Sequence, residues 1–486
     1  MGLGGITISN KFGDVSYEAM NESLQKLKMR YLNGNYPNYD ERISRLKKLV
    51  ELVKDNSELL TTAIEKDFGT RHKQISLIAD INSTMQFANH TIKNLSTWIK
   101  PSKKSPNFPL NLIGAKASVE YQPFGVVGII SPWNFPVNLS IGPLVDIFAA
   151  GNGAMIKLSE FVPNTSELLA ELISNKFSVD EVIVVNGNMQ TSVDFTKLEF
   201  DHLIYTGSSD IAKKVSAAAA TNLVPLTLEL GGKSPVVVGE NTNIDKIVSR
   251  VMFGKLFNSG QICVSPDYLL MPDKKVDSFV EGAKNFIQEK FPTIKNNPDY
   301  TSLIHRSHFE RVQSYIDDAR QKGAKIIEVN PANEDLSQQE HNKIPPTIIL
   351  NPTEDMEIMK NEIFGPVLPI KTYSSFADSI SYINNKSKPL ALYYFGDDKN
   401  EIENLKNSTS SGSFVVNDTI FQTAQYNIPF GGVGTSGSGS YRGHPGFINF
   451  SHKRSIYHGS KLLDVTKMIF APYTDKTLKM IDRLTK

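Results

Sequence analysis

The sequence predicts an α/β protein built on a mostly parallel sheet with both faces covered. Between residues 117 and 240, short apolar runs such as Val126–Ile130 and Pro235–Val238 alternate with segments whose apolar residues recur at helical spacing. The strand-like runs are continuously apolar, as strands buried on both sides are. Beyond about residue 240 the alternation resumes more slowly, which predicts a second α/β domain.

The elements follow in order. Tyr39–Lys54, Asn56–Lys66 and Gln74–Lys100 carry apolar residues at three- and four-residue steps and read as helices, the last stopped by Pro101. A Pro-rich link, PSKKSPNFPLN, follows, and then strand character over Ala117–Ile130. Ala154–Leu158 reads as a strand and Asn164–Phe177 as a helix capped by Asn164 or Thr165. Glu181–Val185 and His202–Tyr205 are strands, Asp210–Ala219 is a helix, and Pro225–Leu230 and Pro235–Val238 are strands again.

Composition excludes several function classes. The 486 residues are 40% hydrophobic and 21% charged with net charge +1, which supplies no field for nucleic acid or an anionic membrane. The most apolar stretch, Phe124–Trp133, is about half a membrane span. No signal peptide is expected, and no acyl anchor, because Ile6 stands where a myristoylation signal needs Ser or Thr. One cysteine rules out an internal disulfide, and nine histidines without ligand spacing predict no metal. The cytoplasm is the expected compartment.

That cysteine, Cys263, lies in NSGQICVSPD. A lone cysteine is ordinarily a small buried hydrophobe. Here the approach is polar and flexible, which suits a thiol that must be reached. Asn134 in SPWNFPVNL sits where an apolar strand turns into a helix, so it is either a cap or a donor aimed into a cleft. Glu229 in TLELGGKSP is a carboxylate inside an apolar strand, a place that needs a partner or a task. Lys157 and Glu160 in IKLSE end a strand, where parallel sheets bind ligands. Gly207 and Ser208 in YTGSSDIA lead into a helix N-terminus, a phosphate site. Glu362 and Phe364 flank the Gly-Pro turn of NEIFGPVLP, and PFGGVGTSGSG is glycine-dense enough for close backbone packing.

Together and in this order, PWNFP, IKLSE, FDHLIYTGS, LELGGKSP, GQIC, EIFGP and PFGGVG resemble the aldehyde dehydrogenase superfamily over roughly Asp40–Leu484. SGSGSYRGHPGFINFSHKRSI and APYTDKTLKMIDRL are similar to its class 3 branch. DFGTRHKQ, FDHLIYTGS and AAAATNLVPLTLELGGKSP are most similar to bacterial coniferyl-aldehyde dehydrogenases.

The resemblance implies a Rossmann-like cofactor domain (1–108 and 125–230), an α/β catalytic domain (231–435), oligomerisation strands (109–124 and 446–458) and a C-terminal tail (459–486). The oligomerisation ribbon would pair Gly114–Pro123 with a strand near Phe447–Tyr457 and join a second subunit, hence a homodimer. Cys263 matches the nucleophile, Asn134 the oxyanion donor and Glu229 the general base. Lys157 and Glu160 match the adenosine-ribose contacts, and Gly207 and Ser208 the pyrophosphate turn. Glu362 matches the nicotinamide-ribose contact, with Phe364 and Trp133 beside the cofactor. NAD is the implied cofactor, with NADP as the alternative.

Two positions depart from the family pattern. Leu158 replaces a proline at the ribose site, and Ala212 replaces a glycine after the turn. Trp133, Phe135, Phe421 and Tyr426 favour an apolar or aromatic aldehyde. Rival readings are a CoA-acylating enzyme, in which the water-activating Glu229 is superfluous, and a non-catalytic binding or structural protein, in which Cys263, Asn134 and Glu229 are all superfluous.

Overall fold

Two seven-stranded sheets and one of three strands organise the chain. The structure is a computed structural model that describes residues 7–8, 14–32 and 34–484; residues 1–6, where no targeting signal is expected, lie outside it. The first sheet runs β1 (Thr7–Ile8), β6 (Val182–Val185), β5 (Gly153–Lys157), β4 (Val126–Ile130), β7 (His202–Gly207), β8 (Leu226–Leu230) and β16 (Gly437–Ser438). All neighbours are parallel except β16, which lies antiparallel on β8. The second runs β11 (Lys325–Glu328), β12 (Thr347–Leu350), β13 (Val367–Tyr373), β10 (Tyr268–Pro272), β9 (Pro235–Val238), β14 (Ala391–Phe395) and β15 (Ser413–Val416). Only β11 is antiparallel to its neighbour there. The α/β reading is therefore correct, and the buried central strands explain their unbroken apolar sequence: every residue of β4, β5, β6 and β9 is buried.

Helix Asn138–Ala150 follows β4 and is buried on every side, which is why it lacks a polar face. The expected helix Gln74–Lys100 is found as Lys73–Trp98, with a π-helical turn at Leu77–Asn82. The cap expected at Asn164 or Thr165 differs. The helix begins at Pro163, and the Asp67 carboxylate accepts from the backbone N–H of Asn164 (2.9 Å) and of Thr165 (2.8 Å). A tertiary partner thus replaces the local side-chain cap.

The third sheet pairs β3 (Lys116–Pro123) antiparallel with β17 (Ser451–His458) and with β2 (Ser102–Lys104). The expected ribbon is thus three strands wide, because part of the Pro-rich link pairs as well. Its second strand starts later than expected, since Phe447 belongs to helix Gly443–Asn449.

Candidate active site

The loop NSGQIC is bent by three successive residues in the left-handed region: Asn258 (φ 53°), Ser259 (φ 51°) and Gly260 (φ 75°). Glycine is required at the third. A Cβ on Gly260 would meet the Gly365 carbonyl of the EIFGP turn at 2.4 Å, so two sequence motifs pack backbone to backbone. Gln261 pins the loop. Its amide donates to the Asn258 and Ser302 carbonyls (3.0 Å each) and its oxygen accepts from the Ile304 N–H (3.0 Å). Cys263 follows, half-buried at the turn before β10. Burial, with the Glu362 and Glu229 carboxylates, pushes its thiol up to about 12, and the Arg442 charge opposes them.

Asn134 leaves β4 in the turn SPWN and is buried. Its Nδ2 donates to the Gln261 carbonyl (3.1 Å), two residues before Cys263. Its own carbonyl accepts from Arg71 Nη1 (2.7 Å). Arg71 Nη2 donates to Asp80 Oδ2 (2.6 Å), and both side chains are inaccessible to solvent. Asp80 Oδ1 accepts from the N–H groups of Val137 and Asn138 (3.1 and 3.2 Å), which start the helix after the turn. The guanidinium lies over the rings of Phe68 (4.8 Å) and Phe135 (5.0 Å). A buried pair broken on one side leaves an uncompensated charge. Arg71→Met should therefore lower stability by about 3–5 kcal/mol in denaturant unfolding. The double variant Arg71→Met, Asp80→Leu should recover part of that loss. A single variant as stable as wild type would contradict this reading of the pair.

Glu229 lies in β8, opposite Thr206 of β7 and Gly437 of β16. It is 3% exposed, and neither carboxylate oxygen has a hydrogen-bond partner among the described residues. Burial holds it well above the usual carboxylate range, with Arg442 opposing. An orphaned, poised carboxylate is what a general base requires. Glu362 reaches the space beside Gly231, where an added Cβ would meet its carboxylate at 2.2 Å. Burial and the charge of Asp267 raise Glu362 to about 8, against the Gly232 N–H and the cations Arg311 and Lys233. Glu362 beside Gly231 and Gly260 against Gly365 bring the end of β8, the EIFGP turn and the Cys263 loop together.

The predicted cofactor residues lie at the ends of β5 and β7, in the turn after β4 and in the turn before β13. Strand order reverses at β4, with β5 on one side and β7 on the other, and ligands of such sheets bind outside the strand carboxyl ends at that point. Lys157 ends β5; its Nζ is buried, donating to the Leu158 carbonyl (2.6 Å) and to Glu160 Oε2 (3.4 Å). Burial lowers its pKa and Glu160 opposes this. Gly207 ends β7, and Ser208 caps helix Ser209–Thr221, its hydroxyl accepting from the Ile211 N–H (3.4 Å). Trp133 packs edge-on to Phe364 (5.5 Å), bridging the motif after β4 to the EIFGP turn. Phe364 adopts φ 49°, a strained value for an aromatic residue. These donors and acceptors fit the ribose hydroxyls and pyrophosphate of NAD(P). Leu158 and Ala212 are both buried and displace none of them.

The aromatic set divides. Trp133 lies with Phe364, and Phe135 with Arg71. Tyr426 stacks on Phe87 (5.3 Å), and Phe421, about half exposed, stacks on Phe253 (5.8 Å). Sequence reasoning missed Arg71, Asp80, Gln261, Arg442 and Lys255, a buried lysine that burial and the charge of Lys233 lower to about 8 against the opposing carboxylates of Asp267 and Glu362. The signal available was a charge in an apolar neighbourhood, which does not name its partner.

Among the described residues no helix is long and apolar enough to cross a membrane, and no cluster of three or more metal-ligating side chains occurs. The model of the "Aldehyde dehydrogenase family" matches residues 35–456. The chain is 47% identical to the "Probable coniferyl aldehyde dehydrogenase" of Caulobacter vibrioides, covering 95% of both chains. It is 43% identical to the "Coniferyl aldehyde dehydrogenase" of a Pseudomonas strain, covering 94% of this chain and 95% of that one. A substrate-bound structure of Staphylococcus aureus AldH superposes with a TM-score of 0.89 at 33% identity, covering 96% of this chain and 99% of that one. With the family model spanning residues 35–456 and relatives 47% and 43% identical along nearly their whole length, the chain belongs to the aldehyde dehydrogenase family.

Proposed function

We propose that the chain oxidises an apolar aromatic aldehyde of the coniferyl type to its carboxylic acid, with NAD as acceptor. The orphaned Glu229 beside the Cys263 loop carries this reading, because water activation is needed only if the thioester is hydrolysed. Cys263 attacks the carbonyl carbon as thiolate. The Asn134 amide and the Cys263 N–H hold the developing oxyanion; losing such a donor costs on the order of 3 kcal/mol. NAD(P), when bound, supplies the hydride acceptor. Oxidation of the Cys263 thiohemiacetal leaves a thioester, and Glu229 takes a proton from the water that hydrolyses it. Residues 1–108 and 125–230 would hold the cofactor, with Lys157, Glu160, Gly207 and Ser208 on its adenosine diphosphate and Trp133, Glu362 and Phe364 near its nicotinamide half. Glu160, paired with Lys157, would repel a 2′-phosphate and so favours NAD over NADP.

The substrate reading rests on Trp133 and Phe135 beside Asn134, and on the names of the two relatives. Catalytic efficiency should be higher on cinnamyl- or benzaldehyde-type substrates than on acetaldehyde. A panel read by reduced-cofactor absorbance, with and without CoA, tests both points. Preference for acetaldehyde or a carboxylated semialdehyde would refute the substrate, and dependence on CoA would refute hydrolysis. Among the described residues β17 has an unpaired edge, which supports a homodimer completed through that edge. A chain of 486 residues with a single cysteine, and so without structural disulfides, supports a cytoplasmic setting.

A further inference from the structure

The main chain of the EIFGP turn is held by charged side chains from three other segments. Lys233, two residues beyond Gly231, donates from Nζ to the Ile358 carbonyl (2.6 Å), the Asn361 carbonyl (3.0 Å) and Asp267 Oδ1. These acceptors match the three N–H groups of an ammonium. Asp267 immediately precedes β10. Its Oδ2 accepts from the Ile363 N–H (2.9 Å), and its own N–H donates to the Ser234 carbonyl (2.8 Å). The side chains of this pair are 10% and 4% exposed. From helix Arg306–Gln321, Arg311 Nη1 donates to the carbonyls of Glu362 (3.3 Å) and Ile363 (2.9 Å). Asn361, Glu362 and Ile363 are thus gripped in succession. The clamp accounts for the strained φ of Phe364, a conformation that persists only where neighbours over-determine it. Ile363 is fixed on one side of Phe364. On the other, Gly365 packs against Gly260 and Val312 with no room for a Cβ. The Glu362 carboxylate lies against Gly231, so the end of β8 grips this residue by its side chain and, through Lys233, by the adjoining main chain.

We propose that Lys233, Asp267 and Arg311 are positioning residues that fix the Glu362 carboxylate for the nicotinamide ribose, and so set how much affinity NAD gains over its adenosine diphosphate half. This rests on the reading of Glu362 as the contact to that ribose. A carboxylate strengthens binding only as far as it is already ordered where the hydroxyls arrive. On a turn without the clamp, binding would have to order Asn361–Phe364 and hold Phe364 in its strained conformation at the same time. The clamp makes that ordering part of folding. None of the three residues is left to touch the cofactor in this role. The N–H groups of Lys233 are all engaged, both oxygens of Asp267 accept within the clamp, and Arg311 spends its Nη1 on main-chain carbonyls. Their effect on binding therefore runs through Glu362.

The test is calorimetric titration of NAD and of ADP, which lacks the nicotinamide ribose, into the full-length protein without aldehyde. The quantity read is the affinity for NAD relative to that for ADP. A defect that merely loosens the fold weakens both ligands and leaves this ratio unchanged. Asp267→Asn keeps the shape but offers one acceptor oxygen where Asp267 uses two, so either Lys233 or Ile363 loses its bond. Arg311→Met breaks bonds to carbonyls, leaves the Lys233–Asp267 pair intact, and serves if the Asn variant fails to fold. Each variant should lower the ratio about tenfold, the size of one hydrogen bond to a charged group, with ADP affinity nearly unchanged. Glu362→Gln should lower it as well. Adding Arg311→Met to Glu362→Gln should lower it little further, because the two act on one contact. Folded clamp variants that keep the wild-type ratio while Glu362→Gln lowers it would overturn the proposal. So would a double variant that loses the full product of the two single effects. A wild-type ratio in Glu362→Gln would instead overturn the reading of Glu362 as a ribose contact, so the two failures are distinguishable.

Discussion

Cys263→Ser should bind NAD as wild type does and turn over no measurable aldehyde. The substitution exchanges one small atom in a turn whose geometry is set by Asn258, Ser259, Gly260 and Gln261, so the loop should persist. Lys157 and Ser208, the proposed cofactor contacts, lie at the ends of β5 and β7 and make no bond to the thiol. A hydroxyl ionises far less readily than a thiol, and the burial and two carboxylates that raise Cys263 would disfavour an alkoxide still more. Loss of a nucleophile costs on the order of 10⁴–10⁶ in turnover. Steady-state assays with NAD titration by fluorescence check both halves. Iodoacetamide should inactivate wild type at one site per chain, and activity surviving complete alkylation would refute the role.

Glu229→Gln should separate the two half-reactions. The substitution is nearly isosteric, and neither oxygen of Glu229 makes a hydrogen bond that Gln would break. In the proposed mechanism thiolate attack and oxidation use Cys263 and Asn134, so a burst of reduced cofactor close to one per active site should remain. Steady turnover should fall by roughly two to four orders of magnitude, the usual contribution of a general base. In wild type the hydrolytic step should gain rate as pH rises through the elevated pKa of Glu229, because only the carboxylate accepts a proton from water. A slow burst in Glu229→Gln would mean that Glu229 deprotonates Cys263 instead. Unchanged burst and turnover would remove it from the mechanism.

Much of this was legible in the sequence because the chemistry is local. NSGQIC needs its left-handed run within four residues, and IKLSE and YTGSSDIA end strands whose apolar cores announce themselves. What stayed hidden depends on distant chain segments. Arg71 and Asp80 are nine residues apart and look like surface charges until helix Asn138–Ala150 closes over them. Asp67 caps a helix 97 residues away. The return of the chain to the first sheet at β16 takes only two residues, Gly437 and Ser438, too few for a strand pattern. Arg442 lies in a glycine-rich stretch that looks like a loop, and nothing local says that its backbone will be held by Asp146.

The most direct test of Cys263 as covalent nucleophile is peptide mass spectrometry of Glu229→Gln quenched just after mixing with aldehyde and NAD. The account predicts an acyl adduct, of the mass of the oxidised aldehyde, on the peptide that contains Cys263. Reduced cofactor formed at one equivalent per site with that peptide unmodified, or with the acyl group on another residue, would contradict it.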